Sequence, residues 1–198
     1  MNKIAVDIVL LPPDKVMKDV ISLINYTADS VIKLNTINCL PHISLAMAAI
    51  DRSDLADITK AVDALATNYS SVLIEMEETK SNIIDNGRSI CDISVKISNE
   101  LKKLHIDSME LLRPFLINTK VRTAMFFSPP EVAAISANWV QHYFDNPNNF
   151  NPHITLGEGV VSQIKAPIKF MAERFALCHL GSYCTCCKVL SEAKLASK

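Results

Sequence analysis

Apolar positions along the chain fall into alternating runs of strand-like and helix-like spacing. The first run, KIAVDIVLLPP, is almost continuously branched and apolar before it stops at Pro12-Pro13. That pattern predicts a buried strand and then a helix with Asp14 as its N-cap. Val16, Val20, Leu23 and Ile24 follow at three-to-four spacing, one face of an amphipathic helix. CLPHISLAMAAI predicts a strand, and Leu55, Ile58, Val62, Leu65 and Ala66 form the stripe of a helix after it. SSVLIEMEETKSN is a strand with partial alternation.

The pattern then restarts. Asn86-Gly87 signals a hairpin turn, and the strand after it carries CDIS around Asp92, an echo of VDIV around Asp7. Leu101, Leu104, Met109, Leu112 and Phe115 mark a further amphipathic helix, and PHITL begins a strand as PHISL did before. IKFMAERFALCHLG and YCTCCKVLSEA are two more strand-like runs around a Gly181-Ser182 turn. The order strand, helix, PHI[ST]L strand thus occurs twice, which predicts a duplicated unit. Asp7 and Asp92 lie 85 positions apart whereas His42 and His153 lie 111 apart, so the second half carries about 26 extra residues. The excess is placed at about 121–149, where a Pro-Pro helix start precedes Val132, Ile135, Trp139 and Val140; a lid or edge element is expected there. With no linker between the halves, the expectation is a single domain over 1–198, with an N-lobe of about 1–85 and a C-lobe of about 86–198 sharing one core.

Composition narrows the partners. The 198 residues are 49% hydrophobic and 21% charged, enough apolar surface to offset the chain entropy of one well-buried domain. Twenty basic and 21 acidic residues give a net charge of −1, too little positive field to hold a long nucleic-acid duplex. A nucleic-acid ligand is expected to be short or gripped at one end. The apolar N-terminal run is interrupted by Asp7 and is too short to span a bilayer, so a soluble, cytoplasmic, monomeric protein without membrane partners is expected. The six cysteines, at 39, 91, 178, 184, 186 and 187, are expected to be reduced thiols. The C-terminal cluster lacks the paired spacing of a structural zinc site, so neither metal nor cofactor is expected.

The two pentapeptides carry the chemistry. On a strand, residues two apart share a face, so His42 and Ser44 point one way while Ile43 and Leu45 anchor the other; His153 and Thr155 stand likewise opposite Ile154 and Leu156. Two imidazoles converging on one cavity suit in-line displacement at phosphorus, one taking a proton from the attacking oxygen and the other returning one to the leaving oxygen. The hydroxyls of Ser44 and Thr155 can donate to the non-bridging phosphate oxygens. His105, His142 and His179 stand alone in the sequence and carry no such geometry.

These two H-x-[ST] words, with the repeated layout, resemble the 2H phosphoesterase superfamily, which includes bacterial 2′-5′ RNA ligases and cyclic phosphodiesterases. The resemblance implies an α+β, bilobal single domain in which two antiparallel sheets face a central cleft, with helices outside. It implies His42 and His153 as catalytic residues, Ser44 and Thr155 as phosphate-binding ones, and no metal. The implied activity is hydrolysis of 2′,3′-cyclic phosphates, or cleavage and formation of 2′-5′ phosphodiester bonds, in a small nucleotide or an RNA 3′-end. Tyr183, Phe150 and Arg122 are expected to stack on a base or grip phosphate. The competing readings are a nucleotide-binding module without catalysis in the same cleft, and a metal or redox protein organised by the C-terminal cysteines.

Overall fold

The opening apolar run becomes β1 (Lys3–Leu11), buried from Ile4 onward, which places it in the interior of a sheet rather than at an edge. In the computed structural model, residues 2–84, 87–128, 131–146, 148–162, 164 and 167–196 are described. Asn86 of the expected hairpin turn and the expected Pro129-Pro130 helix start lie outside them.

Four antiparallel strands make the first sheet in the order β10-β9-β1-β3, with β3 (Ile43–Asp51), β9 (Arg174–Leu180) and β10 (Cys186–Lys194). Another four make the second, in the order β6-β5-β4-β8, with β4 (Val72–Ile83), β5 (Ser89–Val95), β6 (His153–Gly157) and β8 (Ile168–Ala172). A two-stranded ribbon of β2 (Ile24–Tyr26) and β7 (Gly159–Val161) joins residues far apart in the chain. Among the described residues four α-helices complete this α+β fold: α1 (Asp14–Ile21), α2 (Leu55–Thr67), α3 (Asn99–Leu112) and α4 (Ala134–His142).

The helices bury the faces their spacing marked. Ile58, Val62 and Ala66 of α2 and Leu101, Leu104, Met109 and Leu112 of α3 are buried, and α3 starts where the Ser98 hydroxyl accepts from the Leu101 amide at 3.1 Å. At α1 the N-cap is Pro13, not Asp14; Asp14 sits in the first turn, where its charge faces the positive end of the helix. One apolar core runs through both sheets, joining Ile8, Leu10, Ile43 and Leu45 of the first to Ile74, Ile93, Ile154 and Leu156 of the second.

The strands are not shared out at residue 85. β4 (Val72–Ile83), from the first half, lies in the second sheet, while β9 and β10, from the second half, close the first. The strand-like run at 168–180 is cut at Glu173, so that β8 ends in one sheet and β9 begins in the other. Alternation of apolar residues reports which face of a strand is buried but not which sheet it joins. The expectation of reduced thiols fails at Cys178 and Cys186, which are linked as a disulfide between β9 and β10 with their Cα atoms 5.7 Å apart. Cys39, Cys91, Cys184 and Cys187 are free.

Gly157, the last residue of β6, has φ +107° and presses its backbone against the carbonyl of Ile32. A side chain there would strain the backbone and meet an oxygen that cannot move alone. Gly157→Ala is expected to destabilise the fold by about 2 kcal/mol or more, read from urea denaturation; an unchanged midpoint would show that the 32–34 segment gives way freely.

Candidate functional site

The two pentapeptides begin the edge strands of different sheets, β3 in the first and β6 in the second. Both prolines, Pro41 and Pro152, are buried, and Ile43, Leu45, Ile154 and Leu156 are fully buried, so each motif strand is fixed from behind by core packing. The opposite faces meet. His42, Ser44, His153 and Thr155 all line one cavity of about 600 Å³.

The two imidazoles are held by the same device. His42 Nδ1 lies 2.8 Å from the carbonyl of Leu40, and His153 Nδ1 lies 2.9 Å from the carbonyl of Asn151, in each case two residues upstream. A carbonyl only accepts, so Nδ1 carries the proton and Nε2 is left as the basic nitrogen of each neutral ring. Their surroundings differ: His42 is 8% exposed, whereas His153 is exposed. Burial, with a smaller contribution from the charge of His153, brings the His42 pKa down to about 4 against the opposing carbonyls of Leu40 and Cys184. His42 is therefore neutral at physiological pH.

A carboxyl group stands beside each hydroxyl, on the neighbouring strand. Ser44 Oγ is 2.6 Å from Oδ2 of Asp7 on β1, and Thr155 is the register partner of Asp92 on β5. Asp7 is completely buried, and desolvation raises its pKa well above the usual carboxylate range, against the pull of the Ser44 hydroxyl and the Ala46 and Leu45 amides. Asp92 is half-buried; burial raises it too, while the charge of His153 and a 2.6 Å hydrogen bond from Asn82 Nδ2 pull it back. The Asp7–Asp92 echo in the sequence was the signal for both groups.

The outer candidates divide. Tyr183 and Phe150 line the cavity; Arg122 is exposed and does not. One face of Phe150 is already stacked on His105, with ring centroids 4.0 Å apart, and His105 Nδ1 is bound to the Leu45 carbonyl at 2.6 Å. Tyr183 holds a left-handed backbone, φ 55°, secured by its amide donating to Ser136 Oγ at 2.7 Å. The 121–149 segment reaches the site as well: Trp139 and His142 of α4 and the following Tyr143 line the cavity, and His142 Nδ1 pairs with Asp145 Oδ2 at 2.6 Å. Those three were not singled out by sequence as site residues, because a lone aromatic or histidine on a helix carries no direction until the helix is placed. Among the described residues no lysine or arginine lines the cavity, and no group of three or more His, Cys, Asp or Glu is arranged to hold a metal ion.

The sequence matches no protein-family model and no curated protein. Solved structures do match. TT0787 of Thermus thermophilus aligns over 98% of this chain and 100% of its own, with a TM-score of 0.65 at 14% identity. LigT of E. coli complexed with ATP aligns over 99% of both chains, with a TM-score of 0.53 at 14% identity; LigT complexed with 3′-AMP aligns over 98% of both, with a TM-score of 0.52 at 14% identity. The chain therefore has the fold of these proteins. Among the described residues no helix is long and apolar enough to cross a membrane.

Proposed function

We propose that this protein is a phosphoesterase that opens 2′,3′-cyclic phosphates, or cleaves and forms 2′-5′ phosphodiester bonds, in small nucleotides or at short RNA ends. The observation that carries the reading is the pair of H-x-[ST] motifs lining one cavity from two sheets, each histidine tautomer fixed by the carbonyl two residues upstream. The fold shared with LigT, a protein crystallised with 3′-AMP and with ATP, supports a nucleotide as the ligand class. The corresponding strand orders, β3-β1-β9-β10 and β6-β5-β4-β8, support an origin by duplication, with one catalytic half in each copy.

In the hydrolytic direction His42, neutral because it is buried, accepts a proton from water at Nε2 as the water oxygen attacks phosphorus. The bond from phosphorus to one ribose oxygen breaks, and that oxygen takes a proton from Nε2 of protonated His153. The product is a phosphomonoester, and the roles exchange in the reverse direction. Ser44 and Thr155 hold the non-bridging oxygens. Two imidazoles supply both proton transfers, so the scheme needs no metal. A cavity lined by dipoles, imidazoles and the carboxyl group of Asp92, without a lysine or arginine among the described residues, favours the single charge of a diester over the double charge of a monoester.

The test is incubation with a panel of 2′,3′-cyclic nucleotides and 2′-5′-linked oligonucleotides, with and without EDTA. Consumption of one class to a phosphomonoester, unaffected by chelation, is expected. Calorimetric binding with no product after long incubation would instead make the site a nucleotide-binding module.

The kcat/KM profile carries a sharper expectation. The base must be neutral, and the His42 pKa lies near 4, so activity is retained at pH 5 and falls only as pH drops through about 4. An acidic limb at the ordinary histidine value, near 6.5, would remove His42 from the role of buried base.

A further inference from the structure

Asp7 is a carboxyl group with no place in the mechanism above, yet it touches one of its hydroxyls. It is completely buried at the centre of the first sheet, with Oδ2 2.6 Å from Ser44 Oγ, and Oδ1 has no hydrogen-bond partner. The Ser44 hydroxyl and the Ala46 and Leu45 amides favour the ion, but burial outweighs them, and the other neighbours add nothing to its support. From β3 it meets Ser44 and the register partner Met47; from β9 it meets Cys178, which is held in the disulfide and does not titrate. Tyr143 and Cys184, on the turns beside the cavity, interact with it electrostatically and are themselves acids, so their ionised forms would repel a carboxylate. His105, from α3, spends its Nδ1 on the Leu45 carbonyl. No ion pair to Asp7 is present among the described residues.

An ionised Asp7 also contradicts the chemistry of the site. A carboxylate only accepts, so it would take the one Ser44 proton and leave an oxygen lone pair facing the phosphate oxygens. It would also place a negative charge behind an anion site that lacks a lysine or arginine among its described lining. A carboxylic acid reverses both effects. Its own proton goes to Ser44 Oγ, the Ser44 proton turns into the cavity, and the charge is gone.

We propose that Asp7 is a positioning residue that works as a neutral carboxylic acid, donating to Ser44 Oγ so that the Ser44 hydroxyl donates to a non-bridging oxygen of the substrate phosphate. The phosphate role rests on the phosphoesterase reading; the protonation state of Asp7 does not. Burial raises the Asp7 pKa, as the donor role requires. The sign follows: the donor chain is intact below the folded pKa of Asp7 and is lost as pH rises through it, when Ser44 turns back to the carboxylate. The device differs between the two halves of the site, because Asp92 is half-buried and within the field of His153.

The experiment compares wild type with Asp7→Asn, Asp7→Ala, Ser44→Ala and the Asp7→Ala/Ser44→Ala double variant, using a 2′,3′-cyclic nucleotide as substrate and thermal melts to confirm folding. Asp7→Ala is expected to lose roughly ten- to a hundredfold in kcat/KM. Asp7→Asn, whose amide is a permanent donor at the same position, is expected to rescue most of that loss and to keep its activity further into the alkaline range than wild type. The double variant is expected to be no worse than Ser44→Ala, since Asp7 acts only through that hydroxyl. In the infrared difference spectrum of wild type against Asp7→Asn at pH 7, a carboxylic-acid carbonyl band is expected. Carboxylate bands in its place would overturn the proposal whatever the turnover. Folded Asp7→Asn as impaired as Asp7→Ala, beside an active wild type, would overturn it while leaving the phosphoesterase reading in place. An inactive wild type overturns that reading and the phosphate role of Asp7 together.

Discussion

Replacing either His42 or His153 by alanine is expected to lower kcat on a cyclic phosphate roughly 10²- to 10⁴-fold, the range of a positioned proton-transfer group. The loss belongs in kcat more than in KM, because each imidazole acts on a proton that moves only in the transition state. Removing both should cost little more than removing one. In-line displacement needs acid and base together, and residues that act as a unit give non-additive losses. The two variants differ in stability: His42 is packed among buried neighbours, whereas His153 is exposed. His42→Asn, which can keep a donor toward the Leu40 carbonyl, is the companion variant to measure if His42→Ala melts early. A folded variant of either histidine that turns over near the wild-type rate would end the paired-histidine mechanism.

Removing the hydroxyls comes next in size. Ser44→Ala and Thr155→Val are each expected to lower kcat roughly 10²- to 10³-fold, as loss of one preorganised donor to a developing charge does. Thr155→Ser should recover most of the loss, since the oxygen is what the phosphate meets and the methyl group is not. The motif strands are fixed from behind by Ile43, Leu45, Ile154 and Leu156, so neither truncation should move its neighbouring histidine. Comparison of kcat with the circular dichroism and melting point of each variant tests this. Thr155→Val with undiminished kcat would reassign phosphate contact to other donors on the cavity wall.

The legibility of this chain in sequence was uneven for physical reasons. Period-2 and period-3.6 patterns reported β1, β3, α2 and α3 because each buries one well-marked face against the common core. His42 and His153 were legible because the same five-residue device occurs twice, and repetition is information that a single histidine lacks. Strand destination was not legible. The hairpin signal pairs β4 with β5, but the pairing of β4 with β8, as with Val72 against Ala172, and of β9 with β1, as with Leu10 against Phe175, joins segments far apart in the chain. The wall built by Trp139, His142 and Tyr143 was hidden for the same reason. Arg122, a charged residue at the head of an insertion, has no preferred direction in sequence; it is exposed and lies outside the cavity lining. Asp7 and Asp92 were visible as an echo whose meaning required the cross-strand neighbours Ser44 and Thr155.

The late return of β9 and β10 also orders events on the ribosome. β1 and β3 can pair as soon as they emerge, but the other edge of β1 stays open until Arg174–Leu180 has been made. For most of its synthesis the nascent chain displays an apolar strand edge to its surroundings, and closing it brings together segments at large sequence separation, a slow step. Tyr183 and Cys184 of the cavity wall emerge later still. A half-made molecule thus lacks both the second neighbour of β1 and part of the cavity wall, which is complete only once the first sheet closes.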